Sequence, residues 1–173
     1  EVTVDGYNQL VQTNHFSHFL LTAELFPLLQ KAAITSSGEE DAPRIVHMTS
    51  GAKNMAGTKG LDETILKKMD PNTTSLGGSE MSRYAQSKLF NVLFTHSLAK
   101  KLQPTNNIKA VAADPGAMGK DMTNELSWFP RQLFCLFIRI VGQSSEGGTM
   151  GFLRGMMSPD IQSGVLYGPA NDG

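Results

Sequence analysis

The sequence has few of the features that would place it at once in a special class of protein. Its 173 residues include one cysteine, Cys135, which excludes an internal disulfide framework and a zinc cluster built from cysteines. No apolar run reaches the ~18 residues that a membrane-spanning helix needs. The 15 basic and 16 acidic side chains nearly cancel, so the charge gives no reason to expect binding to nucleic acid. With 40% hydrophobic residues and no periodic glycine or proline, the composition is that of one packed domain.

Short apolar runs alternate along the chain with longer stretches of helical periodicity. The runs predict β-strands over residues 44–50, 108–113 and 165–167. The periodic stretches predict helices over residues 3–31, 81–102 and 144–157. This alternation is typical of an α/β fold in which crossover helices connect the strands of a parallel sheet. No repeat or linker divides residues 1–173 into two domains.

The first predicted helix bears on where the domain begins. We expect Thr3 or Asp5 to cap its start, because short polar side chains accept hydrogen bonds from the first N–H groups of a helix. Pro27 lacks the N–H that continues the helical ladder, so we expect it to kink or end the helix. The chain opens within this pattern at Glu1, and three strands alone make a narrow sheet with an unpaired edge. Both observations favour the interpretation that an N-terminal half of the domain is missing.

The pattern that carries chemistry is Tyr84-Ala85-Gln86-Ser87-Lys88. Residues four apart on a helix share one face, so the phenol of Tyr84 and the ammonium of Lys88 are predicted to be neighbours. A phenol has an ordinary pKa of about 10, and a nearby positive charge lowers that pKa by favouring the phenolate. Such a tyrosine can exchange a proton with an alcohol or carbonyl oxygen near neutral pH. The alternative is that Tyr84 and Lys88 only contact each other on the protein surface and have no chemical role.

Three further positions favour the chemical interpretation of this pair. Ser50 ends the first predicted strand before the helix of Tyr84, and Pro115-Gly116 ends the second strand after that helix. Asn14 lies on the apolar face of the first helix, where an amide needs a buried hydrogen-bond partner.

With these residues in this order, the chain resembles the short-chain dehydrogenase/reductase family over nearly its whole length. It matches the C-terminal part of that fold, a Rossmann-type doubly wound parallel sheet. The segments NHFSHFLLT and YAQSKLFNVLF, and the aromatic segment before QSSEGGT, are most similar to the retinol-dehydrogenase-like branch. The resemblance implies an oxidoreductase that transfers a hydride between a nicotinamide cofactor, NAD or NADP, and a carbonyl or alcohol.

The resemblance also implies a role for each matched residue. Tyr84 is the general acid/base, and Lys88 lowers the Tyr84 pKa and bonds the nicotinamide ribose. Ser50 holds the substrate oxygen and stabilises its charge. Asn14 holds a water in a proton relay to Lys88, and Pro115-Gly116 lies beside the nicotinamide.

Departures from the family pattern bear on the cofactor and the substrate. No G-x-G sequence occurs, so the glycine-rich dinucleotide fingerprint is absent and the chain alone is expected to be inactive. NADP is favoured over NAD by the resemblance only. Lys120 stands where the family often has a threonine that contacts the cofactor. Residues 55–78, between Ser50 and Tyr84, look like an insertion that forms either a substrate lid or a passive surface loop.

The segment of residues 128–141 is strongly apolar and aromatic, and it has three interpretations. It could form a wall of a lipophilic substrate pocket, a patch on a membrane surface, or a core helix. The resemblance implies a retinoid-, steroid- or lipid-like substrate and a homodimer through the two long helices. His15 and His18 have a spacing that metal ligands can have, but no third ligand is evident, so we expect no metal site.

A function of a different class is also open. The chain could be a non-catalytic, truncated relative that binds a lipophilic ligand or a protein partner. The absent fingerprint favours this alternative, whereas the presence of Asn14, Ser50, Tyr84 and Lys88 together weighs against it. Nothing in the sequence suggests secretion. The localisation stays open, with an intracellular protein either cytoplasmic or membrane-associated.

Overall fold

The structure is a computed structural model that describes residues 2–56, 80–102, 107–116 and 145–168. Helices and strands alternate along these parts of the chain, as the sequence predicts. In chain order the elements are α1 (Gln9–Val11), a π-helical turn (Gln12–Phe16), α2 (Ser17–Thr35), β1 (Arg44–Met48), a 3₁₀ helix (Gly51–Met55), α3 (Glu80–Leu102), β2 (Lys109–Ala113), α4 (Ser145–Met157) and β3 (Leu166–Tyr167).

The three strands form one parallel sheet in the order β1-β2-β3. Arg44 lies opposite Lys109 and Met48 lies opposite Ala113, so β1 and β2 pair along their whole length. Strand β3 pairs with the end of β2, where Tyr167 lies opposite Ala113. Because α3 connects β1 to β2 and α4 precedes β3, the predicted α/β fold with a parallel sheet is confirmed.

The helices α3 and α4 cover opposite faces of the sheet. Ala110 of β2 packs with Ala99 and Leu102 of α3 in one buried cluster. The next residue, Val111, faces α4, because a Cβ placed on Gly155 would lie 3.2 Å from a Val111 methyl group. The small side chains of β2 let both helices approach closely, and β2 is largely buried between them.

The first helix begins later than the sequence predicts. Asn8 caps it, rather than Thr3 or Asp5, and the Asn8 Oδ1 accepts a hydrogen bond from the Leu10 N–H at 3.0 Å. Thr3 belongs instead to a turn in which the Gly6 N–H donates to the Thr3 carbonyl at 2.9 Å. Gly6 has a φ of 81°, a left-handed conformation that interrupts the helical pattern before Asn8.

Pro27 does not end the helix that contains it, since α2 continues to Thr35. The neighbouring Phe26 and Leu29 pack against the buried cluster around Ile45. This packing holds the helical backbone even though Pro27 donates no hydrogen bond. The insertion predicted over residues 55–78, apart from its first two residues, and the aromatic segment of residues 128–141 lie outside the described residues. Within the described parts of the chain, no helix has the length and apolar character to cross a membrane.

Candidate active site

The carboxyl ends of β1 and β2 lie side by side and are tied to α3. The Thr49 N–H, just after β1, donates to the Ala113 carbonyl at 2.8 Å. The buried Thr49 side chain also donates, from Oγ1, to the Lys88 carbonyl of α3 at 2.9 Å. One threonine therefore fixes the end of the sheet against the helical turn that carries Lys88.

Tyr84 and Lys88 are neighbours on α3, as the sequence predicts. The Lys88 Nζ lies 5.7 Å from the centroid of the Tyr84 ring, a distance at which a cation interacts with an aromatic face. Burial lowers the pKa of the Lys88 ammonium from its ordinary value, and the negative charge of Asp114 opposes that shift. The pair is half-buried near the carboxyl ends of the strands, where the phenol can exchange a proton with a bound oxygen and the ammonium lies beside the phenol.

Ser50 follows β1 in an extended conformation and caps the 3₁₀ helix. Its Oγ accepts a hydrogen bond from the Ala52 N–H at 3.3 Å. Because Thr49 is bonded to α3, the adjacent Ser50 is held at the edge of the sheet on which the Tyr84 helix packs. A half-buried hydroxyl in this place can donate to a substrate oxygen.

Pro115-Gly116 follows β2 in a tight turn that an aspartate organises. The Asp114 Oδ1 accepts a hydrogen bond from the Gly116 N–H at 2.9 Å, and Gly116 has a φ of 74°. The Asp114 N–H donates to the Tyr167 carbonyl at 2.8 Å, which joins the turn to β3. Asp114 also forms an ion pair with Lys53 of the 3₁₀ helix, so the segments that follow β1 and β2 are linked.

Asp114 and Lys53 were not predicted as site residues from the sequence. A carboxylate at the buried end of a strand requires a counter-charge, and this requirement could have indicated Asp114. Its partner could not have been found by spacing, because the two residues lie 61 positions apart in the sequence.

Asn14 lies in the π-helical turn and is bonded to α3. Its Nδ2 donates to the Ser87 Oγ at 3.0 Å, and the Ser87 Oγ donates to the Tyr84 carbonyl at 2.7 Å. The asparagine predicted for the site therefore contacts the helical turn between Tyr84 and Lys88. The π-helical turn itself was not predicted, and such turns are frequent at functional sites.

The histidines of this region have partners within the fold. His15 bonds Asn91 at 3.0 Å and stacks on Phe90, with ring centroids 5.3 Å apart. His47 bonds Thr95 at 2.9 Å. In the parts of the chain that the structure describes, no three histidine, cysteine or acidic side chains are grouped so that they could hold a metal ion.

Comparison with known proteins finds related oxidoreductases, although no protein-family model matches the chain. The chain is 34% identical to an uncharacterised oxidoreductase of Schizosaccharomyces pombe, over 97% of this chain and 48% of that protein. It is 29% identical to a short-chain dehydrogenase/reductase of Aspergillus calidoustus, over 95% and 53% of the two chains. It is 30% identical to human retinol dehydrogenase 12, over 80% of this chain and 36% of that one.

A solved structure supports the fold. A short-chain dehydrogenase from Salmonella enterica superimposes with a TM-score of 0.55 at 17% identity, over 91% of this chain and 50% of that chain. At this identity the likeness concerns the fold alone. The chain spans about half the length of the curated relatives that it matches.

Proposed function

The chain belongs to the short-chain dehydrogenase/reductase family, and we propose that it forms the catalytic part of an NAD(P)-dependent oxidoreductase. The reaction interconverts an alcohol and a carbonyl on a lipophilic substrate. The observation that carries this proposal is the placement of the Lys88 Nζ 5.7 Å from the Tyr84 ring, at the carboxyl edge of a parallel sheet. In α/β sheets, ligands bind in the crevice outside this edge.

Each residue of the site has a role in moving one proton and holding one oxygen. Tyr84 gives a proton to the carbonyl oxygen in reduction and takes it from the hydroxyl in oxidation. The Lys88 ammonium stabilises the phenolate that Tyr84 forms when it gives up its proton. Ser50 donates a hydrogen bond to the same oxygen of the substrate. Asn14 supports the Tyr84 helical turn through Ser87.

The donors at the sheet edge fit a nicotinamide cofactor. The Lys88 ammonium and the Tyr84 hydroxyl can bond ribose hydroxyls, and the Pro115-Gly116 turn after β2 offers a residue without a side chain to an approaching nicotinamide. A bound nicotinamide supplies or accepts the hydride of the reaction. NADP is the coenzyme to assay first, since the family resemblance favours it over NAD.

Two observations support a lipophilic substrate: the name of one relative and the apolar composition of one segment of the chain. Human retinol dehydrogenase 12 carries retinol in its name, and the chain is 30% identical to it over the matched region. The apolar, aromatic residues 128–141 suit a wall of the substrate pocket. The same segment would serve a peripheral contact with a membrane, in which case lipid vesicles would bind the protein in the absence of substrate.

The dinucleotide fingerprint is absent from these 173 residues, so we propose that the chain by itself turns over poorly. The experiment is a coenzyme-dependent assay of the chain alone and of the protein with any sequence that its gene encodes upstream. Turnover is expected only where a phosphate-binding segment is present. Efficient turnover by the 173 residues alone would contradict this part of the proposal.

Replacement of Tyr84 by phenylalanine tests the assigned acid/base. In the active form, Tyr84→Phe is expected to lower kcat by about 100- to 10,000-fold, the range that general acid–base catalysis contributes. The matched control is Tyr167→Phe, because the Tyr167 hydroxyl bonds the Gln162 N–H outside the site. If kcat survives the loss of the Tyr84 hydroxyl, the assignment is wrong.

The alternative function, a non-catalytic relative that binds a lipophilic ligand or a protein, is favoured by the absence of any G-x-G sequence. Binding of a retinoid or steroid probe without any coenzyme-dependent turnover, in the protein as its gene encodes it, would support this alternative. Turnover that Tyr84→Phe abolishes would exclude it.

A further inference from the structure

Asn91 is a buried residue on α3, one turn beyond Lys88. Both polar atoms of the Asn91 side chain bond other parts of the fold. Only 2% of its surface is exposed. Its Nδ2 donates to the Asn14 carbonyl at 2.8 Å and to the Met48 carbonyl at 3.1 Å. Its Oδ1 lies 3.0 Å from the His15 Nδ1. One side chain therefore joins the π-helical turn, the last residue of β1 and α3.

These partners determine which ring nitrogen of His15 carries the hydrogen. The Asn91 amide nitrogen faces two carbonyl oxygens, which can only accept, so the Asn91 Oδ1 is the atom that faces His15. An amide oxygen can only accept, and the His15 Nδ1 must then carry a hydrogen. Burial lowers the pKa of His15 from its ordinary value, which favours the neutral ring near neutral pH. The Asn91 Oδ1 then selects the tautomer that carries its hydrogen on Nδ1.

The π-helical turn is the irregular part of the backbone that this amide contacts. The Ser17 N–H donates to the Gln12 carbonyl, five residues earlier, instead of four as in an α-helix. A side chain that bonds a backbone carbonyl in such a turn can hold the turn in place. The carbonyl that Asn91 bonds belongs to Asn14, whose side chain reaches the Tyr84 turn of α3 through Ser87.

We propose that Asn91 is a positioning residue that holds the π-helical turn against the end of β1 and thereby fixes the Asn14 side chain at the site. The effect on turnover rests on the proposed oxidoreductase function, whereas the hydrogen-bond arrangement does not. Asn91 acts through Asn14 and does not touch the substrate oxygen. His15 completes the arrangement by donating to the Asn91 amide oxygen.

Thr95 provides the matched control for a merely structural effect. It lies one turn further along α3, is as deeply buried as Asn91, and bonds the His47 ring at 2.9 Å and the Asn91 carbonyl at 2.7 Å. Its side chain does not bond the π-helical turn. Asn91→Leu and Thr95→Val each remove buried hydrogen bonds from α3, so both are expected to lower the unfolding temperature. Only the first change releases the Asn14 carbonyl.

The test measures kcat, KM and backbone exchange in the protein as its gene encodes it. Asn91→Leu is expected to lower kcat by about 10- to 100-fold, as small misplacements near a reacting centre do, with KM changed by less than about threefold. Thr95→Val is expected to leave both constants within about threefold of the original values. Hydrogen–deuterium exchange over residues 12–20 is expected to speed up in Asn91→Leu and to stay slow in Thr95→Val.

Changes at His15 keep the proposal testable if Asn91→Leu does not fold. His15→Asn retains a donor close to the Nδ1 position and is expected to keep kcat and slow exchange. His15→Leu loses the donor and is expected to reproduce the effects of Asn91→Leu in weaker form. Equal losses in His15→Asn and His15→Leu would overturn the proposal, as would equal losses of kcat in Asn91→Leu and Thr95→Val.

Two measurements separate this proposal from the proposed function. They are hydrogen–deuterium exchange over residues 12–20 and the tautomer of the His15 imidazole. If the original protein shows no turnover with either coenzyme, the oxidoreductase function fails. The proposal for Asn91 then stands or falls on nitrogen NMR of His15, where a hydrogen on Nδ1 is expected, and on the exchange of residues 12–20. A hydrogen on Nε2 of His15 would overturn it.

Discussion

Lys53 and Asp114 form an ion pair that joins the segment after β1 to the turn after β2. The two side chains are 13% and 8% exposed, so both charges are largely removed from water. Ser50 lies at one end of the 3₁₀ helix that carries Lys53, and Gly116 is bonded by the Asp114 carboxylate. The pair thus fixes the distance between two segments that carry candidate site residues.

Loss of either charge in this pair is expected to destabilise the fold, because the remaining charge is buried without a partner. Lys53→Met should lower the free energy of unfolding by about 3–5 kcal/mol, the usual cost of breaking a buried pair. Denaturant unfolding measures the change. The double variant Lys53→Met with Asp114→Asn should recover part of the loss, since no charge is then left unpaired.

The ion pair of Arg154 and Asp160 is the matched control. Its side chains are 58% and 63% exposed, so water solvates both charges whether or not they are paired. Arg154→Met should change stability much less than Lys53→Met does. If the two changes lowered the free energy of unfolding equally, burial of the ion pair of Lys53 would not be the cause of the loss.

Asp114 should also affect the pH dependence of turnover. Its negative charge opposes the effect of burial on Lys88, so its removal allows the pKa of Lys88 to fall further. If Lys88 must be protonated, the basic limb of the kcat/KM profile should move to lower pH in Asp114→Asn. Asp160→Asn removes an acid from outside the site and should not move that limb. A shift to higher pH in Asp114→Asn would contradict the assigned role of Lys88.

His47 is expected to make the fold less stable in mild acid. Burial lowers the pKa of His47 from 6.5 to about 4. Between these values the unfolded chain binds more protons than the folded one, so the free energy of unfolding falls as the pH falls from about 6.5 towards about 4. The shift corresponds to about 3 kcal/mol, lost across this window and not further below it.

Unfolding curves at several pH values for the original protein and for His47→Gln test this expectation. The variant should lose stability at neutral pH, because a bond to Thr95 is disturbed, yet its stability should depend less on pH between 6.5 and about 4. The half-buried His15, whose pKa is also lowered, leaves a remaining slope of the same sign in the variant. An unchanged slope in His47→Gln would contradict the assignment.

The parts of the fold that local pattern decides were predicted well. The bounds of β1, α3, β2, α4 and β3 differ from the predicted ones by one or two residues, because apolar periodicity and strand length reflect burial directly. The first helix was predicted wrongly at its start, since Gly6 enters a left-handed turn that a helical pattern does not reveal. The helix does not end at Pro27, whose neighbours Phe26 and Leu29 pack against the buried cluster.

The site was predictable only as far as its residues share one helix or follow a strand directly. Tyr84 and Lys88 meet because four residues make about one helical turn, so their spacing alone indicated the contact. The π-helical turn depends on the Asn91 amide, 77 positions from Asn14 in the sequence. Such a contact exists only once α3 has packed on the sheet, and no local pattern encodes it.

The close approach of α4 to the sheet leads to the last prediction. A Cβ added at Gly151 would lie 2.6 Å from the backbone oxygen of Gly168, which no real side chain tolerates. A Cβ at Gly155 would lie 3.2 Å from a methyl of Val111 and 3.3 Å from a methyl of Val46. These side chains can shift by a few tenths of an ångström, whereas the backbone at Gly168 is held by the strand that precedes it.

Gly151→Ala is therefore expected to lower the free energy of unfolding by about 1–3 kcal/mol through overpacking. This loss should exceed the gain of about 1 kcal/mol that alanine brings to a helix interior. Gly155→Ala should lower the free energy of unfolding less than Gly151→Ala does. Whether it lowers or raises that free energy depends on how far the Val111 and Val46 side chains can move. Gly38→Ala is the control, because nothing lies within 4 Å of its Cβ position. Denaturant unfolding should rank Gly151→Ala as the least stable of the three. A Gly151→Ala protein as stable as the Gly38→Ala protein would mean that α4 does not approach the Gly168 backbone this closely.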